Sequence, residues 1–223
     1  MRQLRRAVLI AMVMGLLTAT IAVSGFSPWK VGAQGKPVKV NYLPIPGGDY
    51  RIDTAHSVIG FSIRHYEISW VSGRFEDFKG SIRYDDKDVA KSSVEFTAKV
   101  TSIDTGIERR DAHLRTADFF EVEKFPEMTF KSTSVKRKGK NQNILEGDLT
   151  LKGVTKRISF PFTMTGAIKD GQGNTRMGIS AQTKIDRRDY GITWGKPLAA
   201  GGVDVGNEVT IDLQLEAIKP VPK

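Results

Sequence analysis

The chain alternates apolar and polar residues with a period of two over most of its length, and this pattern limits the fold more than any other feature. From Ser57 onward, Ile59, Phe61, Ile63 and His65 fall on one side and the residues between them on the other. A period of two places successive side chains on opposite faces of a β-strand. The pattern recurs about eight times, so we expect about eight strands with one apolar face each.

A strand-rich chain without regular helices between its strands predicts an antiparallel sheet. One apolar face per strand fits either a closed barrel or a two-sheet sandwich. About eight antiparallel strands favour the barrel, which at this size can hold one small ligand. A membrane-spanning barrel is disfavoured because Arg64, Glu95 and Lys99 occupy outward positions. The expected fold class is therefore all-β, with an eight-stranded antiparallel barrel.

The segment from Gly106 to Phe130 is the exception to the alternation, and it predicts a short helix that forms a lid after the fourth strand. Asp104 and Thr105 can cap the helix start, and Glu108 stands where a capping-box acid belongs. Four rings then crowd into a dozen positions, namely Phe119, Phe120, Phe125 and Phe130. Because so many rings do not suit a solvated connection, we expect this lid to cover the apolar opening of the barrel.

The first 33 residues predict a signal peptide, with a basic start and an uncharged apolar run from Ala7 to Val23. Residues 34–48, rich in proline and glycine, predict a linker, and residues 49–219 a single domain. The alternative is an uncleaved membrane anchor. Either arrangement places the domain outside the cytoplasm, so the protein is expected to be periplasmic or secreted. The absence of cysteine means that the core, without disulfides, holds the fold.

The charge of the chain does not favour nucleic acid as a partner. The formal net charge is +9, but four of the basic residues lie in the leader, and without them 30 basic residues stand against 25 acidic ones. Only residues 136–140 concentrate basic charge, and they suit a solvated hairpin tip better than a nucleic-acid surface. Transient contact with an anionic membrane surface stays open, as does a homodimer.

Several motifs follow one another along the whole domain. They are D-x-x-H-S-x-x-x-F-x-x-x-H from Asp53, R-D-x-H-L from Arg110, D-F-F from Asp118, G-x-L-T-x-x-G-V-T from Gly147, R-x-x-Y-G-I-x-W from Arg187 and V-G-x-E-V-x-I from Val205. In these motifs the chain resembles the YceI-like family from Asp49 to Lys219. The loop from Gly195 to Gly202 is of a kind that varies freely, so no contact is transferred there.

The resemblance implies a lipocalin-like barrel that is exported and binds a polyisoprenoid or another long amphiphile, such as a quinone, a prenyl phosphate or a fatty-acid-like lipid. It implies a carrier with a role in isoprenoid transport or stress response, rather than an enzyme. No cofactor other than such a lipid is expected. The chain also lacks the hydrolase, zinc-protease, P-loop and dinucleotide motifs. The alternative is a lipid or prenyl-phosphate hydrolase that uses His, Asp and Arg at the barrel mouth.

We expect the ligand to lie inside the barrel, against the inward apolar faces. The ligand-binding residues predicted on strands are Phe61, Ile63, His65, Phe78, Phe96, Met128, Phe130, Phe160, Phe162, Met164 and Ile179. Those predicted on the lid and loops are Arg110, His113, Leu114, Phe119, Phe120 and Trp194. The excess of Phe and Met predicts an adaptable wall. Each of these residues could instead be packed core.

The head group of such a ligand could meet arginines at the mouth. The candidates for bidentate bonds to a phosphate are Arg109, Arg110, Arg115, Arg187 and Arg188. The alternative is that Arg110 pairs with Asp111, and Arg187 or Arg188 with Asp189, in surface ion pairs. Tyr190 and Trp194 are expected to cover the barrel end with their polar atoms hydrogen-bonded. The spacing of His56, His65 and His113 does not suggest a metal site.

Overall fold

The computed structural model describes residues 39–139 and 142–221, so the predicted signal peptide and the first part of the linker lie outside it. Within those ranges no helix has the length and apolarity to cross a membrane. The strands are β1 (Gly48–Ile52), β2 (Val58–His65), β3 (Ser69–Phe75), β4 (Phe78–Tyr84), β5 (Ser93–Lys99), β6 (Ile103–Asp104), β7 (Glu127–Arg137), β8 (Gln142–Leu151), β9 (Val154–Lys169), β10 (Thr175–Asp186) and β11 (Val205–Lys219). The helix α1 (Glu108–Leu114) lies between β6 and β7.

The sheet closes into a barrel with eight strand positions, which confirms the expected fold class. β1 and β2 follow one another along the same edge of β11, with Ile52 opposite Ala217 and Val58 opposite Gln214. In the same way β3 and β4 share one position beside them, and β5 and β6 share the next. β11 pairs with β10 on its other edge, so the antiparallel ladder runs around the barrel in chain order.

The direction of the strands assigns each connection to one of two ends. The mouth end carries the β2–β3 hairpin, α1 with residues 115–126, the β8–β9 turn and the loop of residues 187–204. The base carries the β4–β5 connection, the β7–β8 and β9–β10 hairpins, the start of β1 and the end of β11. At the base, Val89 from a short 3-10 turn is buried and helps to fill that end.

The helix forms where expected, but its predicted cap is wrong. α1 begins at Glu108, and Ile107 occupies the N-cap position without a side-chain hydrogen bond. Asp104 instead accepts a hydrogen bond of 2.8 Å from the Gly106 amide within the preceding turn. Asp111, one turn into the helix, is buried and accepts a bond of 3.0 Å from the Thr105 amide. The acid that holds the segment before α1 is therefore Asp111, which lies within the helix and bonds to Thr105, before the helix start.

The interior of the barrel is packed in some parts and open in others. Tyr50, Val100, Ile103 and Met177 are almost completely buried. Several other side chains point inward from the middle of long strands and yet stay only partly buried, namely Phe61, Ile63, Phe96, Phe162, Met164, Ile179, Ile211, Leu213 and Leu215. Inward side chains in a closed barrel keep accessible surface only where they do not fill the space between them. A cavity therefore runs inside the barrel.

Candidate ligand-binding site

The cavity has a volume of about 790 Å³, and apolar side chains form almost all of its wall. It reaches from Ser92 and Tyr84 near the base to Tyr66 and Ile107 at the mouth. A volume in this range, with an apolar wall and a few polar groups at one end, is typical of small-molecule sites. The cavity can thus take the apolar part of an elongated ligand, with its polar end at the mouth.

All predicted ligand-binding residues except Phe78 line this cavity. Those from the strands are Phe61, Ile63 and His65 on β2, Phe96 on β5, Met128 and Phe130 on β7, Phe160, Phe162 and Met164 on β9, and Ile179 on β10. Those at the mouth are Arg110, His113 and Leu114 on α1, Phe119 and Phe120 after it, and Trp194 in the loop that follows β10. The structure brings these side chains together around one space, as the alternation of the strands implies.

Phe78 does not border the cavity, which corrects its predicted place. Its side chain is 7% exposed, and its ring packs against that of Phe96 with 6.0 Å between the centroids. Phe96 is the member of this pair that borders the open space. Alternation identifies the inward face of a strand, but it does not distinguish a side chain that touches the cavity from one that is packed against its neighbours.

The last strand contributes cavity residues that the prediction left out. Ile211, Leu213 and Leu215 of β11 line the cavity opposite β2 and β10. The regular alternation along this strand would have predicted that these three side chains point into the barrel. Tyr66 and Ile107 at the mouth were also missed, and they belong to a turn and a helix start, where strand periodicity offers no guide.

An aromatic cluster lies over the mouth and joins two connections. The ring of His113 on α1 lies 5.0 Å from that of Trp194 and 5.1 Å from that of Phe119, each nearly edge to face. His113 Nε2 also lies 2.8 Å from Asp118 Oδ2. On the other side of this segment, Lys152 Nζ donates a bond of 2.9 Å to the Ala117 carbonyl. The lid is thus held against both the 187–204 loop and the β8–β9 turn.

Arg110 and Arg115 are held by carbonyl and hydroxyl oxygens rather than by acids. Arg110 Nε and Nη2 donate to the hydroxyl and carbonyl of Thr105, each at 2.7 Å. Arg115 donates to the carbonyls of Thr101 and Ile103, both at 2.9 Å. The predicted pair of Arg110 with Asp111 is absent from the described hydrogen bonds and ion pairs, because Asp111 bonds to Thr105. Both arginines fix the segment that enters α1.

Arg187 is buried and ties the start of β11 to the loop before it. Its guanidinium donates to the carbonyls of Gly206, Ile192 and Val205 at 2.7, 2.9 and 2.9 Å. Burial lowers the pKa of this guanidinium. Arg188 pairs with Asp186 at 2.5 Å, rather than with Asp189 as predicted, and this hydrogen bond lowers the pKa of the Asp186 carboxyl. Both guanidiniums therefore bond within the protein, although Arg187 also borders the cavity.

Arg109 differs from the other candidate arginines. It is exposed, borders the cavity at the mouth, and takes part in none of the side-chain hydrogen bonds or ion pairs found among residues 39–139 and 142–221. Of the five arginines considered for a head group, it is the one whose charge is not already committed to another group of the described chain. It is therefore the best-placed cation for a polar head at the cavity opening.

Tyr190 is buried at the mouth end, but its predicted hydrogen bond is absent. The side chain is 1% exposed, and its hydroxyl has no partner among the described residues. Burial, with a smaller effect from the charge of Asp189, raises the pKa of the phenol to about 12. Trp194 borders the cavity opening and is 36% exposed, but its indole takes part in none of the hydrogen bonds found among the described residues, so its predicted bond is absent too.

A second group of polar side chains lies on the outer surface of the barrel. One oxygen or nitrogen from each of Asp53, His56 and Glu216 lies within 4.8 Å of the others. The Arg176 guanidinium bonds to both carboxylates and to Asp170, so a cation already occupies the space between them. His56 thus lies on the outer wall, whereas His65 and His113 border the cavity, and the three histidines do not converge on one point.

Comparisons with known proteins agree with this fold. Residues 50–217 match the model of the YceI-like domain. Protein YceI of Escherichia coli is 41% identical over 159 residues, which cover 70% of this chain and 83% of that protein. The crystal structure of the Campylobacter jejuni YCEI protein is 30% identical with a TM-score of 0.60, and the match covers 76% of this chain and 96% of that one.

A more distant neighbour shares the fold at low identity. It is a polyisoprenoid binding domain from Saccharophagus degradans, with a TM-score of 0.58 and 18% identity over 77% of this chain and 98% of the neighbour. The family match covers the barrel from β1 to β11, including the lid and the loop that carries Trp194. The protein therefore belongs to the YceI-like domain family.

Proposed function

We propose that the protein is a binding and carrier protein that holds a polyisoprenoid, or another long-chain amphiphile such as a quinone or a fatty-acid-like lipid, inside its barrel. The observation that carries the proposal is the cavity of about 790 Å³ with inward side chains that do not fill it. The polyisoprenoid binding domain of similar fold supports the ligand class.

The cavity volume limits how much of the ligand can be enclosed. At about 30 Å³ per heavy atom, the share of a water molecule in the liquid, a volume of about 790 Å³ holds about 26 heavy atoms. At roughly 0.3 kcal/mol per heavy atom this corresponds to about 8 kcal/mol, or a dissociation constant of about 1 µM. A chain of about five isoprene units would fill the space, and a longer chain would extend through the mouth.

The polar groups at the mouth fit a binding role better than a hydrolytic one. Asp111 is buried and bonded to Thr105, while His113 contacts Asp118 instead. Among the described hydrogen bonds, the hydroxyl of Thr116 in the same segment donates to the His113 carbonyl rather than to its ring. Activation of a nucleophile requires a base in hydrogen-bond contact with it. We therefore propose binding without catalysis.

We also propose that the protein works outside the cytoplasm after export. The basic start and the apolar run from Ala7 to Val23 support a signal peptide. Expression of the full chain in a bacterial host, followed by mass measurement of the exported form, tests this. Cleavage after Ala33 predicts a mature protein that begins at Gln34, and a retained leader in the membrane fraction would contradict it.

The binding proposal is tested by extraction and by reloading. The natively purified protein is extracted with organic solvent and the extract analysed by mass spectrometry, and the emptied protein is titrated with a C20 prenyl alcohol. We expect a co-purified amphiphile or one-to-one uptake of the prenyl alcohol. A short analogue that carries the head group without the chain should bind far more weakly, because it has no apolar chain to bury. An empty extract together with no uptake of prenyl or fatty compounds would refute the proposal.

A further inference from the structure

The rim of the mouth exposes apolar side chains that the fold does not use. Ile68 at the tip of the β2–β3 hairpin is 83% exposed, and its neighbours Tyr66 and Trp70 are 48% and 51% exposed. Ile107, at the start of α1, is 54% exposed. Tyr66 and Ile107 also border the cavity, so the apolar rim is continuous with the opening. Exposed apolar groups gathered around one opening in this way are typical of interaction sites.

The β2–β3 hairpin is held so that these side chains project from the barrel. The Ile68 amide donates to the His65 carbonyl at 3.1 Å, and the Tyr66 amide donates to the Asp204 carbonyl at 2.8 Å. The first bond closes the turn and the second fixes it to the loop that follows β10. These bonds hold the backbone of the tip in place, while its side chains point into solvent and do not pack against the barrel core.

The chemistry of the rim points to one kind of partner. Trp and Tyr favour the boundary between lipid headgroups and acyl chains because their rings are apolar and carry one polar atom. The Arg64 guanidinium lies 4.4 Å from the centre of the Trp70 ring, and Arg109 is exposed beside Ile107. Cations beside interfacial aromatic rings suit an anionic headgroup layer. Glu67 and Glu108 share this rim, so apolar insertion rather than net charge must supply most of the affinity.

We propose that the mouth-end rim docks on the surface of a phospholipid bilayer, with Tyr66, Ile68, Trp70 and Ile107 among the headgroups and Arg64 and Arg109 facing anionic lipids. Docking in this orientation places the cavity opening against the bilayer, so an amphiphile passes between membrane and barrel without crossing water. This route rests on the proposed function, whereas the docking itself does not depend on what fills the cavity.

The test uses the exported protein without its leader, because the apolar run from Ala7 to Val23 would itself bind a bilayer, and vesicles of phosphatidylcholine with or without phosphatidylglycerol. Wild-type protein should co-sediment with both, and more with the anionic vesicles at low salt. Replacing Ile68→Ser together with Trp70→Ser should weaken binding at least about tenfold, since each side chain loses a buried apolar contact. Arg64→Gln and Arg109→Gln should each weaken binding about fivefold on anionic vesicles only, and salt should reduce the difference.

Ile168→Ser is the matched control. Ile168 is 41% exposed on β9 at the base, so the same chemical change is made far from the mouth. We expect this variant to bind vesicles like the wild type. All variants should retain the wild-type thermal transition, because none of the changed residues belongs to the packed core. The Ile68→Ser and Trp70→Ser pair and the Ile168→Ser control should also take up the C20 prenyl alcohol like the wild type, because none of these three residues borders the cavity.

Three results would overturn the docking proposal. They are absence of vesicle binding by the wild type, an equal loss in the Ile168→Ser control, and self-association of the wild type that the Ile68→Ser and Trp70→Ser pair abolishes without any vesicle binding. The last result would assign the rim to a second copy of the chain. Vesicle binding without uptake of any prenyl or fatty compound would instead refute the proposed function and leave the docking intact.

Discussion

A larger side chain at Ala181 should weaken ligand uptake and stabilise the empty protein. Ala181 on β10 borders the cavity, so a phenylalanine there would extend into open space. Ala98 on β5 provides the matched control, because it is completely buried and does not border the cavity. The same substitution at these two positions therefore separates the filling of a cavity from the crowding of a packed core.

The expected magnitudes follow from the cavity volume. Phenylalanine adds about six heavy atoms to alanine, or about 180 Å³ at about 30 Å³ each, which is roughly a quarter of the cavity volume of about 790 Å³. A ligand that loses room for about six atoms loses about 2 kcal/mol, or about 30-fold in affinity. Cavity filling should raise the free energy of unfolding by about 0.5–2 kcal/mol, whereas overpacking at Ala98 should lower it by about 1–3 kcal/mol.

Uptake is measured by titration of the emptied variants with a C20 prenyl alcohol, and stability by urea unfolding of the same samples. Ala181→Phe should bind less tightly and unfold at a higher urea concentration, while Ala98→Phe should unfold at a lower one. If Ala181→Phe destabilised the empty protein as much as Ala98→Phe does, the space beside Ala181 would be closed in solution. Unchanged affinity in a stabilised Ala181→Phe variant would show that the ligand lies elsewhere.

Three further predictions concern polar groups around the barrel. Arg187→Met should lower the free energy of unfolding by about 3 kcal/mol in urea titration, because three carbonyls, two of them in buried hydrogen bonds, lose a charged donor. A smaller loss in Arg187→Lys would support this reason. Tyr190→Phe should raise the free energy of unfolding by about 1 kcal/mol, since the buried hydroxyl has no partner among the described residues. A lower free energy of unfolding in this variant would show that the hydroxyl does have a hydrogen-bond partner. Several hydrogen bonds, the largest effect being that of the Arg176 guanidinium, lower the pKa of the Asp170 carboxyl to about 2. The ionised Asp170 carboxylate therefore contributes fully to the free energy of unfolding above pH 4, and this contribution is lost as pH falls from about 4 to 2. Urea midpoints at pH 5, 3 and 2 should therefore fall less in Asp170→Asn than in the wild type, and parallel curves would contradict the assignment.

The periodicity of the strands was sufficient to predict the barrel and most of the cavity wall. Alternation from Ile59 to Ile63 and along the other strands fixes which face of each strand points inward, and the number of strands favours a closed barrel over a two-sheet sandwich. Alternation does not indicate where along the barrel axis the open space lies. Phe78 and Phe96 both face inward on neighbouring strands, but only the three-dimensional packing shows that Phe96 reaches the open space.

The polar contacts at the mouth were harder to predict. Arg110 and Asp111 are adjacent in the chain and of opposite charge, which suggested a pair, but both bond to Thr105. Backbone groups at the ends of strands need partners, and their positions become known only once the strands are paired. The hairpin tip was missed for a related reason, because Tyr66 and Glu67 adopt φ angles of 51° and 60° without the glycine or asparagine that usually marks such a turn.

The closure of the barrel has a practical consequence. The first strand starts and the last strand ends side by side at the base, where Arg51 lies opposite Ile218 and Lys219 Nζ donates to the Gly47 carbonyl. Attachment chemistry at the start of β1 or at the end of β11 would leave the mouth unobstructed, so an immobilised sample could report on lipid capture from solution. A short peptide joining these ends would also permit a circular permutant opened at the 170–174 hairpin, with new termini on the same side.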